Sequence, residues 1–405
     1  MTRAAGIVAP FQRMLRTGTP DFWRLWYMGL IVFTVRWLET VAVGVIVYQL
    51  TGSAFLVAMM TMLRLLPMGL FGGFIGALAE RFDRRVSLVG VVIVMAATSG
   101  LLAAVAWLGR LEVWHLAVAS FINGCGWATD NPLRRVMIGE AVGREQMGWA
   151  MSLDVGASNA SRMIGPTVGG LLLAGIGIEG AFLLSVVLYV TAIVAGLGAR
   201  PHMSSPAGGG AVLARTREGF AVVAADKRLA ATMVVTVIYN LFAWPFTSMI
   251  PVIGRDQLSL GPEGVGILAS LDGAGAFLGA LLLAAMLTPR WYARAYVGGI
   301  ACYMAALIVF ALAAEPLLAG AALLVTGLGG AGFATLQATI VYLAAPPEMR
   351  SRVLGVLSVC IGTGPIGFVW LGWLAERIGA PNATAITGAF GLLALAAAYP
   401  LWRRI

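Results

Sequence analysis

Phe22 to Leu50, FWRLWYMGLIVFTVRWLETVAVGVIVYQL, is an apolar run interrupted near its middle by two charges, Arg36 and Glu39. About 20 apolar residues are enough for a helix to cross hydrocarbon, so this run reads as a membrane span. Its two charges stand one helical turn apart on one face. A charge at mid-membrane costs about 2.5 to 3.5 kcal/mol even on a lenient insertion scale, so the pair points to a transport path.

Composition agrees. Of 405 residues, 60% are hydrophobic and 11% charged, with a mean hydropathy of +0.90. That leaves too little polar material to cover a soluble globule of this length. The net charge of +9 comes almost wholly from arginine, Lys227 being the single lysine, and it reads as membrane topology, with no nucleic acid implied. Cys125, Cys302 and Cys360 lie in apolar stretches, as small buried hydrophobes do, and neither a disulfide nor a metal site is expected of them. Met1 to Asp21 is an arginine-bearing polar tail without a cleavage-site pattern, so the first span is expected to anchor the protein itself.

Twelve such stretches are expected as helices. The first six run near Phe22–Leu50, Phe55–Ala79, Val86–Leu108, Val113–Met137, Met147–Ile176 and Gly180–Leu197. The others run near Leu229–Ile253, Gly264–Leu287, Ala295–Ala313, Leu317–Ala344, Val353–Leu374 and Asn382–Trp402. With the N-terminus inside, the loops on that side collect nearly all loop arginines, against Arg110, Arg255 and Arg377 opposite, so both termini are expected in the cytoplasm. A polar, Gly- and Pro-containing connection at 200–217 divides the chain into 1–199 and 218–405. The parts echo each other: Gly126-Trp127-Ala128-Thr129 ends span four and Gly332-Phe333-Ala334-Thr335 ends span ten, with Arg144 and Arg350 at the same offset. Two repeated six-helix bundles with a site between them at the midplane form an alternating-access architecture.

After span two, Gly76-Ala77-Leu78-Ala79-Glu80-Arg81-Phe82-Asp83-Arg84-Arg85 resembles the signature loop of the major facilitator superfamily. Glu80 stands for the usual aspartate and Asp83 for the usual glycine, while Arg81, Arg84 and Arg85 stay in register. Gly76 permits close helix contact, and Glu80 can pair with Arg84 or cap a neighbouring helix, latching the halves; the other reading is a topogenic basic loop alone. In span five, Gly165, Pro166, Gly169 and Gly170 lie in a stretch similar to the antiporter motif of facilitator-type exporters. Small residues and proline let that helix approach a neighbour closely and bend, whether for gating or for packing only. Within the superfamily the chain is similar to the branch of enterobactin-type siderophore exporters and macrolide efflux proteins, through Tyr48-Gln49-Leu50-Thr51-Gly52-Ser53, Arg64-Leu65-Leu66-Pro67 and Arg144-Glu145-Gln146. It departs from that branch in placing Arg36 before Trp37 and Glu39 after it, where acid and arginine commonly stand the other way round.

Six ionisable residues are expected within hydrocarbon depth: Arg36, Glu39, Arg64, Asp154, Arg162 and Asp272. They balance, three against three, and mutual pairing around a central cavity would satisfy all of them. Glu39 is the first candidate for carrying a coupling proton, then Asp272 and Asp154, while Arg36, Arg64 and Arg162 are candidates for holding an anionic part of a substrate. A static salt-bridge scaffold that never touches substrate is the alternative. Asn159, Tyr239, Asn240, Trp244 and Gln337 are candidates to complete the cavity, and Asp130, with Asn131 and Pro132, is expected to end span four as a gate. No phosphate-cradling loop, nucleophile elbow or zinc-type histidine pair occurs, and His115 and His202 fall in loops, so ATP drive, hydrolysis, a cofactor and a resident metal are not expected.

These readings converge on a monomeric all-α secondary transporter of the bacterial cytoplasmic membrane that exports a small amphipathic molecule, siderophore or drug-like, in exchange for protons. Uptake or lipid-type transport without a pH gradient, and a non-transporting membrane sensor of the same fold, remain open.

Overall fold

The computed structural model describes residues 18–79, 83–200 and 212–403, and these are helical almost throughout. Among them, nine helical stretches are long and apolar enough to cross a membrane: Pro20–Thr51, Arg84–Trp107, Glu145–Gly198, Lys227–Asp256, Pro262–Met286, Pro289–Leu312, Pro316–Ala344, Arg352–Ile378 and Ala380–Ala397. A shorter apolar stretch, Ala54–Leu70, lies in helix Ala54–Ala79.

We number the helices α1 Pro20–Thr51, α2 Ala54–Ala79 and α3 Arg84–Trp107. The unbroken run Val113–Gly198 is divided by non-helical backbone at Gly143 (φ 75°) and Gly177 (φ 73°) into α4 (113–142), α5 (144–176) and α6 (178–198). Positive φ is open to glycine without a Cβ clash, so these two glycines decide where the chain reverses. Then follow α7 Val212–Ala225, α8 Lys227–Asp256, α9 Pro262–Met286, α10 Tyr292–Leu312, α11 Pro316–Ala344, α12 Arg350–Ile361, α13 Gly364–Ile378 and α14 Ala380–Ala397.

Local chemistry sets the ends. Thr19 accepts a hydrogen bond from the Phe22 amide at 3.2 Å ahead of Pro20, capping α1, which stops at left-handed Gly52. Asp226 caps α8 by accepting from the Arg228 and Leu229 amides at 2.7 and 3.2 Å.

Three features depart from the sequence reading. Helix α4 continues through Asn131 and Pro132, so Asp130 lies inside a helix and does not end one. A proline inside a membrane helix is tolerated where neighbouring helices satisfy the freed backbone groups. The stretch expected to be a linker to residue 217 is helical from Val212, where glycine and proline have ended, and Glu218 pairs with Arg352 at 2.7 Å to dock α7 beside α12. Span eleven is broken between α12 and α13 at Gly362 and Thr363. Of the motif after span two, Gly76 falls in α2, Arg84 and Arg85 open α3, and Glu80 and Arg81 lie outside the described residues.

The apolar core has a telling distribution. From Leu38 onward, the buried residues of α1 belong to a cluster that includes Val57 of α2, Phe246 and Ile253 of α8, Leu268 of α9 and Leu371 of α13. Phe22, Leu25, Met28, Ile31, Val32 and Val35 belong to a second cluster, built with Leu88, Val92, Met137, Ala150 and Tyr189 of α3 to α6 alone. A third, separate cluster joins Val223, Leu229, Val341 and Val356 of α7, α8, α11 and α12. The early and late helices are thus packed together at the Thr51 end of α1 and form separate cores at its Pro20 end.

Candidate functional site

Helix α5 ties the early helices to the late ones through α9, as α2 does through α13. A Cβ on Gly165 would lie 2.7 Å from that of Trp37 and one on Gly169 would lie 2.7 Å from the Leu38 carbonyl, so these glycines let α5 sit directly on α1. Gly170 faces α9, where its Cβ would lie 3.0 Å from the Gly266 Cα and overlap the Pro262 carbonyl. Pro166 offers its carbonyl to the same Gly266. One turn and more toward the middle of the helix, a Cβ on Gly273 would meet the Arg162 carbonyl at 2.5 Å.

Where these backbones meet, Arg162 of α5 pairs with Asp272 of α9. The Asp272 side chain is 4% exposed and the Arg162 side chain 21%. Arg162 also stands over the Trp37 ring, 5.4 Å from its centroid. Tyr239 and Tyr303 lie within electrostatic reach of the pair. The Tyr239 ring stacks on Phe333 at 3.7 Å and meets Tyr303 edge-on at 5.1 Å. Asp272 Oδ1 and Arg162 Nε are buried without a hydrogen-bond partner. The pair therefore keeps polar atoms in reserve beside an aromatic wall, which equips it to hold a molecule with both polar and apolar parts.

Tyr239 opens a π-helical turn, Tyr239–Ala243, followed by a 3₁₀ stretch, Trp244–Met249, in the middle of α8. Such irregularities inside helices often mark functional places. Asn240 donates to the Thr236 carbonyl at 2.9 Å and Gln337 to the Thr236 hydroxyl at 2.9 Å, so both amides are engaged among the late helices. Trp244 meets Phe368 edge-on and lies against Gly364. Asn159 is half-buried, one turn before Arg162 on α5. Tyr239 joins the Arg162–Asp272 site, whereas Asn240, Trp244 and Gln337 help to pack α8 against α11 and α13.

The remaining charges gather among the early helices, in two groups. Arg36 lies 3.9 Å from Asp130, with Trp127 and Phe33 beneath its guanidinium at 4.5 and 5.2 Å. Arg134 lies 3.6 Å from Asp130 and pairs with Asp154, which Arg135 also reaches at 3.0 Å. Asp130 and Arg134 are fully buried, two charges beyond the six expected at hydrocarbon depth.

Glu39 is different. It is 1% exposed, and its hydrogen bonds come from neutral donors, the Ser99 hydroxyl at 2.6 Å and the Asn123 amide at 3.2 Å. Ser185 of α6 also adjoins it, and Arg64 is its nearest electrostatic counterpart. Arg64 donates to the Arg36 carbonyl at 2.9 Å and to the Thr40 hydroxyl. Of the six charges expected to pair mutually, Arg162 and Asp272 do so, whereas Arg36 lies beside Asp130, Asp154 is held by Arg134 and Arg135, and Glu39 has a cage of hydroxyls and an amide. Ser99, Asn123, Ser185 and Tyr303 were not singled out in the sequence; an isolated amide or hydroxyl within a span was the signal available for the first three.

Among the described residues, no three His, Cys, Asp or Glu side chains lie together so as to hold a metal ion. Cys302 is exposed on α10 and faces outward, where a small apolar side chain suits hydrocarbon.

Among the described residues, the motif after span two supplies the Asp83 cap on α3, which accepts from the Val86 amide at 3.0 Å, and an ion pair between Arg84 of α3 and Glu140 of α4. The ion pair joins two early helices.

Comparison with known proteins places this geometry. A family model described as transmembrane secretion effector matches residues 8–403. Macrolide efflux protein A of Streptococcus pyogenes is 26% identical over 270 residues, 65% of each chain, and its Enterococcus faecalis counterpart is 28% identical over 240 residues, 57% of this chain and 72% of that one. The chain spans 65% of the length of the first of these relatives. Among solved structures, a bacterial homolog of the human lysosomal transporter Spinster, inward-facing and unoccupied, superposes with a TM-score of 0.73 at 16% identity over 95% of this chain and 96% of that one. A POT family transporter in complex with a thioalcohol-conjugated peptide gives 0.77 at 10% identity, over 95% and 96%. These last likenesses concern the fold.

Proposed function

Because the chain belongs to the major facilitator superfamily, in its transmembrane secretion effector family, we propose that this multi-pass membrane transporter is a proton-coupled exporter of a small amphipathic organic molecule. In this reading, residues 1–199 and 218–405 are two six-helix bundles, twelve spans in all, joined by the 200–217 segment with its helical end. Both termini face the cytoplasm of a bacterial cell, and one chain is the working unit.

The Thr51 end of α1 is then the outer face. Tyr48 donates to Asp256 there, and Glu376 accepts from the Ser53 hydroxyl at 3.0 Å and from the Phe55 amide at 3.2 Å. Glu376 of α13 thereby caps the start of α2, a carboxylate at a helix N-terminus supplied by the other bundle. With the outer ends latched and the inner ends holding separate cores, the conformation is open to the cytoplasm, ready to receive cargo for export.

Substrate and proton are assigned to different places. The Arg162–Asp272 pair at the seam, with Trp37, Tyr239 and Tyr303 around it, receives the substrate and shifts partners as the bundles rock. Glu39 carries the proton. The single observation behind that assignment is the neutral cage: a fully buried carboxyl whose donors are Ser99 and Asn123 makes no direct ion pair that protonation would break, Arg64 facing it only across the cage. Relatives named for macrolide efflux make a macrolide the first probe, and siderophores the second.

Purified protein in liposomes, loaded with a radiolabelled macrolide, tests the assignment. Glu39→Gln is expected to abolish transport driven by a pH gradient and to retain macrolide exchange at equal pH. Full gradient-driven transport in that variant would remove Glu39 from the mechanism.

A further inference from the structure

Several arginines at the ends of helices are matched by an acid. Arg24 pairs with Asp21 at 3.1 Å and Arg352 with Glu218 at 2.7 Å, and Arg84 pairs with Glu140. The connection from α9 to α10 is built differently. Pro262 and Val265 at the start of α9 line a cavity with Tyr48 and Gln49 of α1, so the far end of α9 and this connection lie away from the Thr51 end. There a Pro289–Trp291 turn leads into α10. Arg290 and Arg294 are both exposed, and both guanidinium groups stand over the Trp291 ring, 6.0 and 4.7 Å from its centroid. Trp291 is itself 43% exposed. No Asp or Glu occurs from Gly273 to Ala314, and among the described residues neither arginine meets a carboxylate. Two like charges over one ring repel each other, and an anion between them relieves the repulsion. Guanidinium forks match the oxygens of a phosphate in pairs.

We propose that Arg290, Trp291 and Arg294 hold the headgroup phosphate of an anionic phospholipid, one acyl chain of which lies along Leu278, Leu282 and Met286 of α9. Those three side chains are 46%, 54% and 76% exposed and follow one another at four-residue spacing, so they form a stripe on one helix face that ends four residues before Arg290. Inorganic phosphate would use the arginines and leave the stripe idle; a phospholipid uses both. The tryptophan suits the same depth, since its ring is apolar and its N–H polar, as the headgroup layer demands. A zwitterionic lipid brings an ammonium toward the two arginines, whereas phosphatidylglycerol brings a phosphate with a neutral remainder. The arginines therefore select charge as well as anchoring the chain. The proposal goes beyond the transport reading: it needs only that these helices span a bilayer, whatever the cargo and whether or not Glu39 carries a proton.

The test uses the full-length protein with Cys125, Cys302 and Cys360 replaced by alanine and a fluorophore on Ala285→Cys, an exposed position near the end of the stripe. Brominated acyl chains quench it where they touch it. In phosphatidylcholine nanodiscs, brominated phosphatidylglycerol is expected to bind there about twenty-five-fold more tightly than brominated phosphatidylcholine. Arg290→Gln and Arg294→Gln are each expected to lower that preference about fivefold, and together to bring it near one. Arg24→Gln, which removes an arginine already paired with an acid, is expected to leave it unchanged. Both target arginines are exposed, so their loss spares the fold, which an unchanged melting temperature verifies. A preference that survives in the double variant would overturn the site, and an equal loss in Arg24→Gln would show that overall charge alone is at work. Abolition of the preference by excess inorganic phosphate would overturn the lipid assignment in favour of a free anion. None of these outcomes bears on Glu39, whose role is decided by gradient-driven transport.

Discussion

Replacing Asp272 by asparagine keeps the shape of the side chain and removes its charge, which isolates what the Arg162–Asp272 pair does for the conformation described. A hydrogen bond to a charged group contributes about 1.5 to 3 kcal/mol, and an uncompensated buried charge costs about 3 to 5 kcal/mol. Here Arg162 is 21% exposed and keeps the Trp37 face at 5.4 Å, so water and the ring recover part of the loss. The expected penalty is about 2 kcal/mol, near the lower end of those ranges. The pair joins α5 to α9 at a seam that continues toward the Thr51 end of α1 through Gly170 and Gly266, so the penalty falls on the conformation closed there. A shift of about 2 kcal/mol changes a two-state ratio about thirtyfold. Spin labels at Leu50→Cys and Ile378→Cys, in a background with Cys125, Cys302 and Cys360 replaced by alanine, would report it as pulsed-dipolar distances. Both positions are exposed, 53% and 38%, and flank the Ser53–Glu376 contact. The unmodified protein is expected to give one short distance and Asp272→Asn a dominant longer one. An unchanged distribution would refute the argument that this pair holds the seam closed at the Thr51 end.

Two other perturbations follow from the packing. Gly170→Val drives a side chain into the Pro262 carbonyl and the Gly266 backbone, which cannot yield as a flexible side chain would; a cost of at least about 1 to 3 kcal/mol should lower the melting temperature in detergent, and an unchanged melting curve would contradict the glycine contact. Arg134→Met leaves Asp130 with Arg36 alone and Asp154 with Arg135 alone, an expected loss of about 3 kcal/mol in thermal unfolding; adding Asp154→Leu should restore part of it, and equal stability of single and double variants would show that the charges do not act as a pair.

Much of the architecture was legible because burial in lipid is a local and cumulative property. Each apolar run declares itself through its own side chains, and nine of them appear as spanning helices among the described residues. Helix ends were less legible. Asn131 and Pro132 read as a terminus, yet the helix carries on, since its neighbours include two buried arginine–aspartate contacts that hold Asp130 in place. The π-turn at Tyr239–Ala243 left no mark that composition could register. The clearest gap concerns Glu39: its charge stood out at once, but its partners are ordinary span residues, Ser99 and Asn123, on helices 60 and 84 positions further along the chain.

The amino-acid sequence by itself determined that this chain lives in a bilayer, roughly where it crosses, and which ionisable groups it carries into the crossing, because each of these follows from residues adjacent in the chain. Which acid meets which arginine, and which acid meets only hydroxyls and an amide, was decided by the tertiary structure. Side-chain pairing depends on the rotation and crossing of helices far apart in sequence, and here that is set by where glycine lets one backbone touch another.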